Sequence, residues 1–355
     1  IGGAVPAEMS QPTLLSLDAS EVELEAELLE GLCTVKCLGA KTQEEALAAE
    51  EVTEAEFIAV WHTIWLTPEL LAKFKNAKMV VRMGVGYDNV DVKAAGELGI
   101  PVCNIPNYGT EEVADSAVAH VLSLYRQTAP LALRVAGGAV IQGPDAIAAA
   151  AGPSCVRIRG QVLGLIGFGV IGTATAVRAK VFGFRVVFYD PWVADGTDKA
   201  LGVERVESLD ELLEMSDTIS MHCNCTAENT RMINAAALAK VKRGAFFVNT
   251  ARGELVDDTA LLAALEDGTL AGACLDVHWN EPFIVDKSEP LGTKGAHLVR
   301  AGKLICTPHN AWYSVQSRRE MRTLGVDTVK RCLAGIPARN VVNKDFLVEP
   351  RVPIL

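Results

Sequence analysis

No stretch of this sequence approaches twenty uninterrupted apolar residues, and its first segment lacks the basic, apolar and small-residue order of a secretory leader. Neither a membrane span nor export is therefore expected. Basic residues are in deficit: 33 Lys and Arg stand against 44 Asp and Glu, giving a net charge of -11. A protein that grips a phosphate backbone needs a clustered basic surface to displace counterions, so direct nucleic-acid binding is not expected. The nine cysteines show no paired CxxC spacing. That pattern fits reduced thiols rather than a disulfide or zinc framework, and Cys223 and Cys225, one residue apart, are not read as metal ligands. Internal repeats and low-complexity tracts are missing too. The expectation is a soluble chain of the cytoplasm or nucleus with no metal.

What is present is length and apolar content. At 355 residues, half of them hydrophobic, the chain exceeds what one core usually organises, which predicts two domains. Short β-branched runs alternate with Ala- and Leu-rich stretches of helical period, the signature of repeated strand-helix units and parallel sheets. One set of strands is expected at 13–17, 34–38, 57–61, 79–83 and 102–104. A second is expected at 162–166, 185–189, 218–222, 245–249, 272–276 and 303–307. From about Glu111 a long helix leads from the first set to the second. After Trp312 a helix over 317–333 suits a return to the first domain, followed by a short polar tail. The α/β reading is thus two doubly wound parallel-sheet domains, with a Rossmann NAD-binding domain (116–317) inserted into a flavodoxin-like substrate domain (10–115 plus 318–347) and a tail over 348–355.

The clearest motif follows the run Val162-Leu163-Gly164-Leu165-Ile166. Gly167-Phe168-Gly169-Val170-Ile171-Gly172 comes next, then a helical stretch, and Asp190 stands at the end of the following strand. Strand before, helix after and acidic residue about twenty positions on are the context that gives a glycine fingerprint meaning. Gly167 suits a tight turn, Gly169 lets the backbone approach a pyrophosphate, and Gly172 lets helix and strand pack closely. The free N–H groups at the helix start would face the phosphates. Asp190 would accept hydrogen bonds from ribose hydroxyls and repel a 2′-phosphate, which favours NAD over NADP.

In open α/β sheets, ligands sit beyond the carboxyl ends of the strands. Three later strands end in Asn249-Thr250-Ala251-Arg252-Gly253, in Asp276-Val277 with Glu281-Pro282 beyond, and in Thr307-Pro308-His309. Arg252 offers a planar fork for a carboxylate or its neighbouring carbonyl. His309 titrates near neutrality and can exchange a proton with an alkoxide, and Glu281 could pair with its imidazole. Asp276 is expected at the carboxamide edge of the nicotinamide. These groups point to hydride transfer between NAD(H) and the α-carbon of a 2-keto or 2-hydroxy acid. His62, His120, His222, His278 and His297 lack such company and read as structural.

From about residue 12 to 347 the chain resembles the D-isomer-specific 2-hydroxyacid dehydrogenase family. The carriers are Gly84-Val85-Gly86-Tyr87-Asp88-Asn89-Val90-Asp91, the glycine fingerprint, and the three strand-end motifs above. The resemblance implies a catalytic set of Arg252, Glu281 and His309. It implies a substrate-facing set of Arg82, Val85, Gly86, Tyr87, Arg252, His309 and Trp312. Beyond the fingerprint residues, the expected cofactor-lining set is Tyr189, Asp190, Cys223, Asn229, Thr250, Ala251, Arg252, Asp276, His309, Trp312 and Val85. A homodimer is implied, with the segment after Arg126 reaching across and pairing into tetramers left open. Within the family the chain is most similar to the C-terminal-binding-protein group, NAD(H)-responsive corepressors, on Arg157-Ile158-Arg159-Gly160, Tyr189-Asp190-Pro191, Ala311-Trp312-Tyr313-Ser314 and Val342-Asn343-Lys344-Asp345. Trp312 would wall the pocket with apolar surface and favour a keto acid with a thioether or alkyl tail. That group implies peptide partners at a groove around Cys33-Thr34-Val35-Lys36-Cys37-Leu38, where Lys36 departs from the small apolar residues expected, and Asn107-Tyr108-Gly109-Thr110 looks more like the metabolic enzymes. A protein-binding scaffold governed by NAD(H) is therefore the alternative to a metabolic dehydrogenase.

Overall fold

The computed structural model describes residues 11–279 and 295–355. The chain divides into two compact units, one of the residues up to Tyr108 together with Ser314–Leu355, the other of Gly109–Tyr313.

The first unit holds a five-stranded parallel sheet: β1 Thr13–Ser16, β2 Thr34–Cys37, β3 Phe57–Val60, β4 Met79–Arg82 and β5 Val102–Asn104. Their order is β2-β1-β3-β4-β5, the flavodoxin-like order. β3 is buried at all four positions, as expected of a strand covered on both faces. β2 is the edge strand, and Lys36 on it is exposed, so no burial penalty attaches to that charge. The helix Val315–Leu333, opened by a reciprocal Ser314–Ser317 capping box, crosses the sheet with Gly325 against Met83. A side chain at 325 would strike the Met83 sulfur. Arg322 on this helix pairs with Glu25 at 2.7 Å and 2.5 Å, both side chains nearly buried. Removing Arg322 would strand the Glu25 carboxylate at a cost of about 3–5 kcal/mol, whereas Arg322 has a second partner in Glu21 at 2.9 Å.

The residues after Leu347, expected as a short polar tail, are fastened to this unit. Arg351 donates to the carbonyls of Phe74, Ala77 and Leu98, and the Val348 N–H donates to Gly96 O. Just upstream, buried Asn343 accepts from the Val102 N–H and donates to the carbonyls of Ile100 and Val92.

The second unit carries seven parallel strands: β6 Val162–Ile166, β7 Arg185–Tyr189, β8 Glu204–Arg205, β9 Thr218–Met221, β10 Ala245–Asn249, β11 Leu270–Leu275 and β12 Leu304–Cys306. The order is β12-β11-β10-β9-β6-β7-β8, with the switch point between β6 and β9. β8 adds a seventh strand to the six expected. The helix Thr110–Arg126 lies wholly in this unit, because its apolar stripe of Val121, Leu124 and Tyr125 joins the core of β6, β7 and β10. Tyr125 packs edge-on against Phe184 and Phe246, and its hydroxyl meets Thr218 Oγ1 at 3.0 Å. The unit boundary accordingly falls at 108/109, ahead of the expected 115/116. After that helix, Thr128–Ala136 buries only Pro130 and Pro144–Ala151 buries nothing. No described helix is long and apolar enough to cross a membrane.

Candidate active site

The cofactor cradle forms where β6 gives way to the helix Val170–Val181. Gly167 has φ +91°, and a Cβ there would sit 2.5 Å from the Cys223 backbone nitrogen; a Cβ at Gly172 would collide with Gly167 O. At Gly169 a Cβ would meet nothing, so that backbone faces open space. The helix starts at Gly169 without a side-chain cap, leaving N–H groups of its first turn and the positive dipole end for an anion. Phe168 is buried and stacks on Phe188, fixing the turn from beneath. Val170 is exposed at the helix start.

At the end of β7, half-buried Asp190 accepts from the Phe168 N–H at 2.7 Å and the Trp192 N–H at 2.9 Å, one on each oxygen. Each oxygen keeps a lone pair for a ribose hydroxyl. Beyond β9, the Cys223 thiol is pushed up to about 12 by burial, and Asn229 organises the following turn by accepting from the Thr226 N–H and donating to Asn224 O. Behind the cradle His222 is partly buried. Its Nε2 lies 2.9 Å from Ser220 Oγ, its buried Nδ1 has no hydrogen-bond partner among the described residues, and burial pushes its pKa down to about 4.

Asn249, buried at the last position of β10, folds the next turn: its Oδ1 accepts from the Ala251 N–H and its Nδ2 donates to Arg252 O. Nothing in the sequence reading singled out this residue, although it opens the strand-end motif. The turn presents Thr250, whose buried hydroxyl has no hydrogen-bond partner among the described residues, and half-buried Arg252, whose Nη1 donates to Ala251 O at 2.7 Å. Gly253 must be glycine because a Cβ would lie 2.5 Å from Trp279 N.

Asp276, expected at the nicotinamide, is 1% exposed and does something else first. Oδ1 accepts from Thr307 Oγ1 and the Asn310 N–H, Oδ2 from the Ala311 N–H, and its carbonyl accepts from the His309 N–H. The carboxylate thus ties the end of β11 to the loop after β12, where His309 holds a left-handed backbone at φ +53°. Ser116 braces the same loop by donating to Ala311 O. Trp312 follows, packed edge-on against Tyr313 and lying over Gly109. Glu281 lies outside the described residues. The structure therefore brings Arg252, Asp276 and His309 to the ends of three adjacent strands, β10, β11 and β12, on the edge that carries the cradle.

In the first unit, Arg82 Nη1 donates to Met83 O and Nε to Asn89 Oδ1. It folds back over Gly84, where any Cβ would clash with the guanidinium. Val85 and Tyr87 are exposed, Gly86 lies between them, and the Val85 carbonyl accepts from Asn104 Nδ2. Among the described residues no three His, Cys, Asp or Glu gather as a metal site.

An open glycine backbone, an uncapped helix start, a carboxylate with spare lone pairs and an orphaned threonine hydroxyl together fit a dinucleotide. Residues 118–311 match the family model for the NAD-binding domain of D-isomer-specific 2-hydroxyacid dehydrogenases. The C-terminal-binding protein 1 of Caenorhabditis elegans is 37% identical over 348 residues, 97% of this chain and 47% of that protein. The D-3-phosphoglycerate dehydrogenase of Methanocaldococcus jannaschii is 32% identical over 316 residues, covering 89% and 56%. The chain thus spans about half the length of these curated relatives. The crystal structure of an Aquifex aeolicus D-lactate dehydrogenase with NAD and lactic acid superposes with a TM-score of 0.79 at 31% identity, covering 91% of this chain and 96% of that one. This chain belongs to the D-isomer-specific 2-hydroxyacid dehydrogenase family, and its cofactor is NAD.

Proposed function

We propose that the chain reduces a 2-keto acid to the D-2-hydroxy acid and catalyses the reverse oxidation, with the keto acid carrying an apolar or thioether tail. The carrying observation is the row of strand ends in which Arg252 and His309 flank the Asp276 loop clamp, beside a cradle that fits NAD. Bound NADH supplies the hydride, and NAD+ accepts it in the reverse direction. Arg252 grips the substrate carboxylate and polarises the neighbouring carbonyl. His309 donates the proton to the nascent alkoxide in reduction and removes it in oxidation, with Glu281 pairing its imidazole. Asp276 acts through the loop it holds, fixing the backbone that carries His309. Thr250, Ala251, Cys223 and Asn229 line the cofactor, and Tyr189 and Asp190 hold the adenosine end. Trp312 supplies an apolar wall.

The test is Arg252→Ala, assayed with 4-methyl-2-oxopentanoate. We expect kcat/KM to fall about 100-fold or more, as for loss of a charge-assisted transition-state contact. NADH affinity stays within a few-fold. Equal loss of both, or no loss, overturns the assignment. The exposed residues of 128–156, with Val140 at 88% and Leu133 at 65%, are assigned to a homodimer surface; a monomer at micromolar concentration in sedimentation would remove that assignment.

A second reading, an NAD(H)-governed scaffold of the nucleus and cytoplasm, is favoured by one observation besides the nematode relative. β2 is an open sheet edge, to which an extended peptide can add as a strand. Micromolar binding of a Pro-x-Asp-Leu peptide supports it, and none at millimolar removes it.

A further inference from the structure

Outside the groups already assigned, one pair ties together loops that must hold still for Arg252 to do its work. The Arg231 guanidinium lies over the Trp279 indole, 4.6 Å from the ring centroid. Arg231 has a left-handed backbone, φ +55°, which an arginine adopts at a cost that glycine escapes. Its N–H donates to Glu254 O at 2.8 Å, the Ile233 N–H to Leu255 O at 3.0 Å, and the Asp257 N–H to Ile233 O at 2.9 Å. The loop after β9 is therefore zipped to the segment that directly follows Arg252. Trp279 approaches the same segment from the other side, since its backbone nitrogen lies 2.5 Å from where a Cβ at Gly253 would stand.

We propose that Arg231 is a positioning residue for Arg252: by stacking on Trp279 it latches the loop after β9 and the segment after β11 around the turn after β10. An exposed cation–π pair is worth about as much as the backbone strain that Arg231 bears, so the pair adds little to net stability. What it supplies is restraint on both flanks of Gly253, the residue next to Arg252. The latch rests on Arg252 being the substrate-carboxylate group proposed above.

Arg231→Gly relieves the strained backbone and deletes the guanidinium. With 4-methyl-2-oxopentanoate we expect KM to rise about fivefold from the loosened carboxylate grip, with a smaller fall in kcat from the loosened carbonyl contact. NADH affinity by fluorescence titration should be unchanged, and the unfolding midpoint should stay within about 2 °C. Arg231→Lys, whose ammonium still sits on an aromatic face, should recover most of the KM. Trp279→Leu should reproduce the loss, and the double variant should be no worse than either single one. An unchanged KM in Arg231→Gly, a parallel loss of NADH affinity or midpoint, failure of Arg231→Lys to recover it, or additivity in the double variant would each overturn the latch. If Arg252→Ala collapses turnover while Arg231→Gly is silent, only the latch falls. If Arg252→Ala is itself silent, the functional reading falls and the latch with it.

Discussion

Two aspartates close neighbouring stories at the carboxyl edge of the second unit's sheet, Asp190 after β7 and Asp276 after β11. Asp190 is half-buried and takes one backbone N–H on each oxygen, leaving accepting capacity on both. Asp276 is sealed, with a hydroxyl and two backbone N–H groups on its carboxylate, all from a loop more than thirty residues further along. The same residue type at equivalent places therefore keeps accepting capacity in one case and spends it on the protein's own loop in the other. Strand-end position locates chemistry; the number of internal donors decides which kind.

The sharpest way to break that contrast is Asp276→Asn. It removes the charge and turns an amide N–H2 toward loop donors, so stability should fall by about 2–3 kcal/mol and the melting midpoint by about 5–10 °C. Keto-acid reduction should be lost along with the His309 backbone geometry. A variant of native midpoint and rate would show that the carboxylate is not the clamp.

Beneath the cradle, His222 gives a pH signature. Its folded pKa of about 4 lies below the ordinary value of 6.5, so the unfolded chain takes up the proton first. Stability contributed by the neutral ring is complete above pH 6.5 and is lost as pH falls from there toward 4, on the order of 3 kcal/mol for full protonation. His222→Gln should flatten the acid limb of a denaturation series between pH 6.5 and 4. An unchanged slope would place that limb's origin elsewhere.

Asp190→Ala should have the smallest structural effect of the three. The NADH-over-NADPH preference in binding should relax by about tenfold, since like charge no longer opposes a 2′-phosphate. Persistence of the preference would mean another residue discriminates.

Much of this was legible in the sequence. Eleven of the expected strands appear, because apolar β-branched runs between turn residues mark buried parallel strands whatever they pack against. β8, two residues of charge at an edge, leaves no such trace. The helix Thr110–Arg126 was readable as a helix, but periodicity does not say which core receives its stripe. That Gly167, Asp190, Arg252 and His309 follow strand ends was readable because fold rules fix where strands end. The work of Asp276, Asn249 and Arg351 was not, because it depends on which distant backbone groups come within reach, and no local pattern encodes that.

The insertion of one unit into the other sets an order of assembly. Gly109–Tyr313 is continuous and can finish folding as soon as it emerges, whereas the Asn343 bond to Val102 spans 241 positions and the Arg351 bond to Ala77 spans 274. Domains fold as units during synthesis, and contacts of long sequence separation come late. A nascent chain halted near residue 320 should therefore carry a protease-resistant nucleotide unit beside a first sheet whose β5 still awaits its last partners.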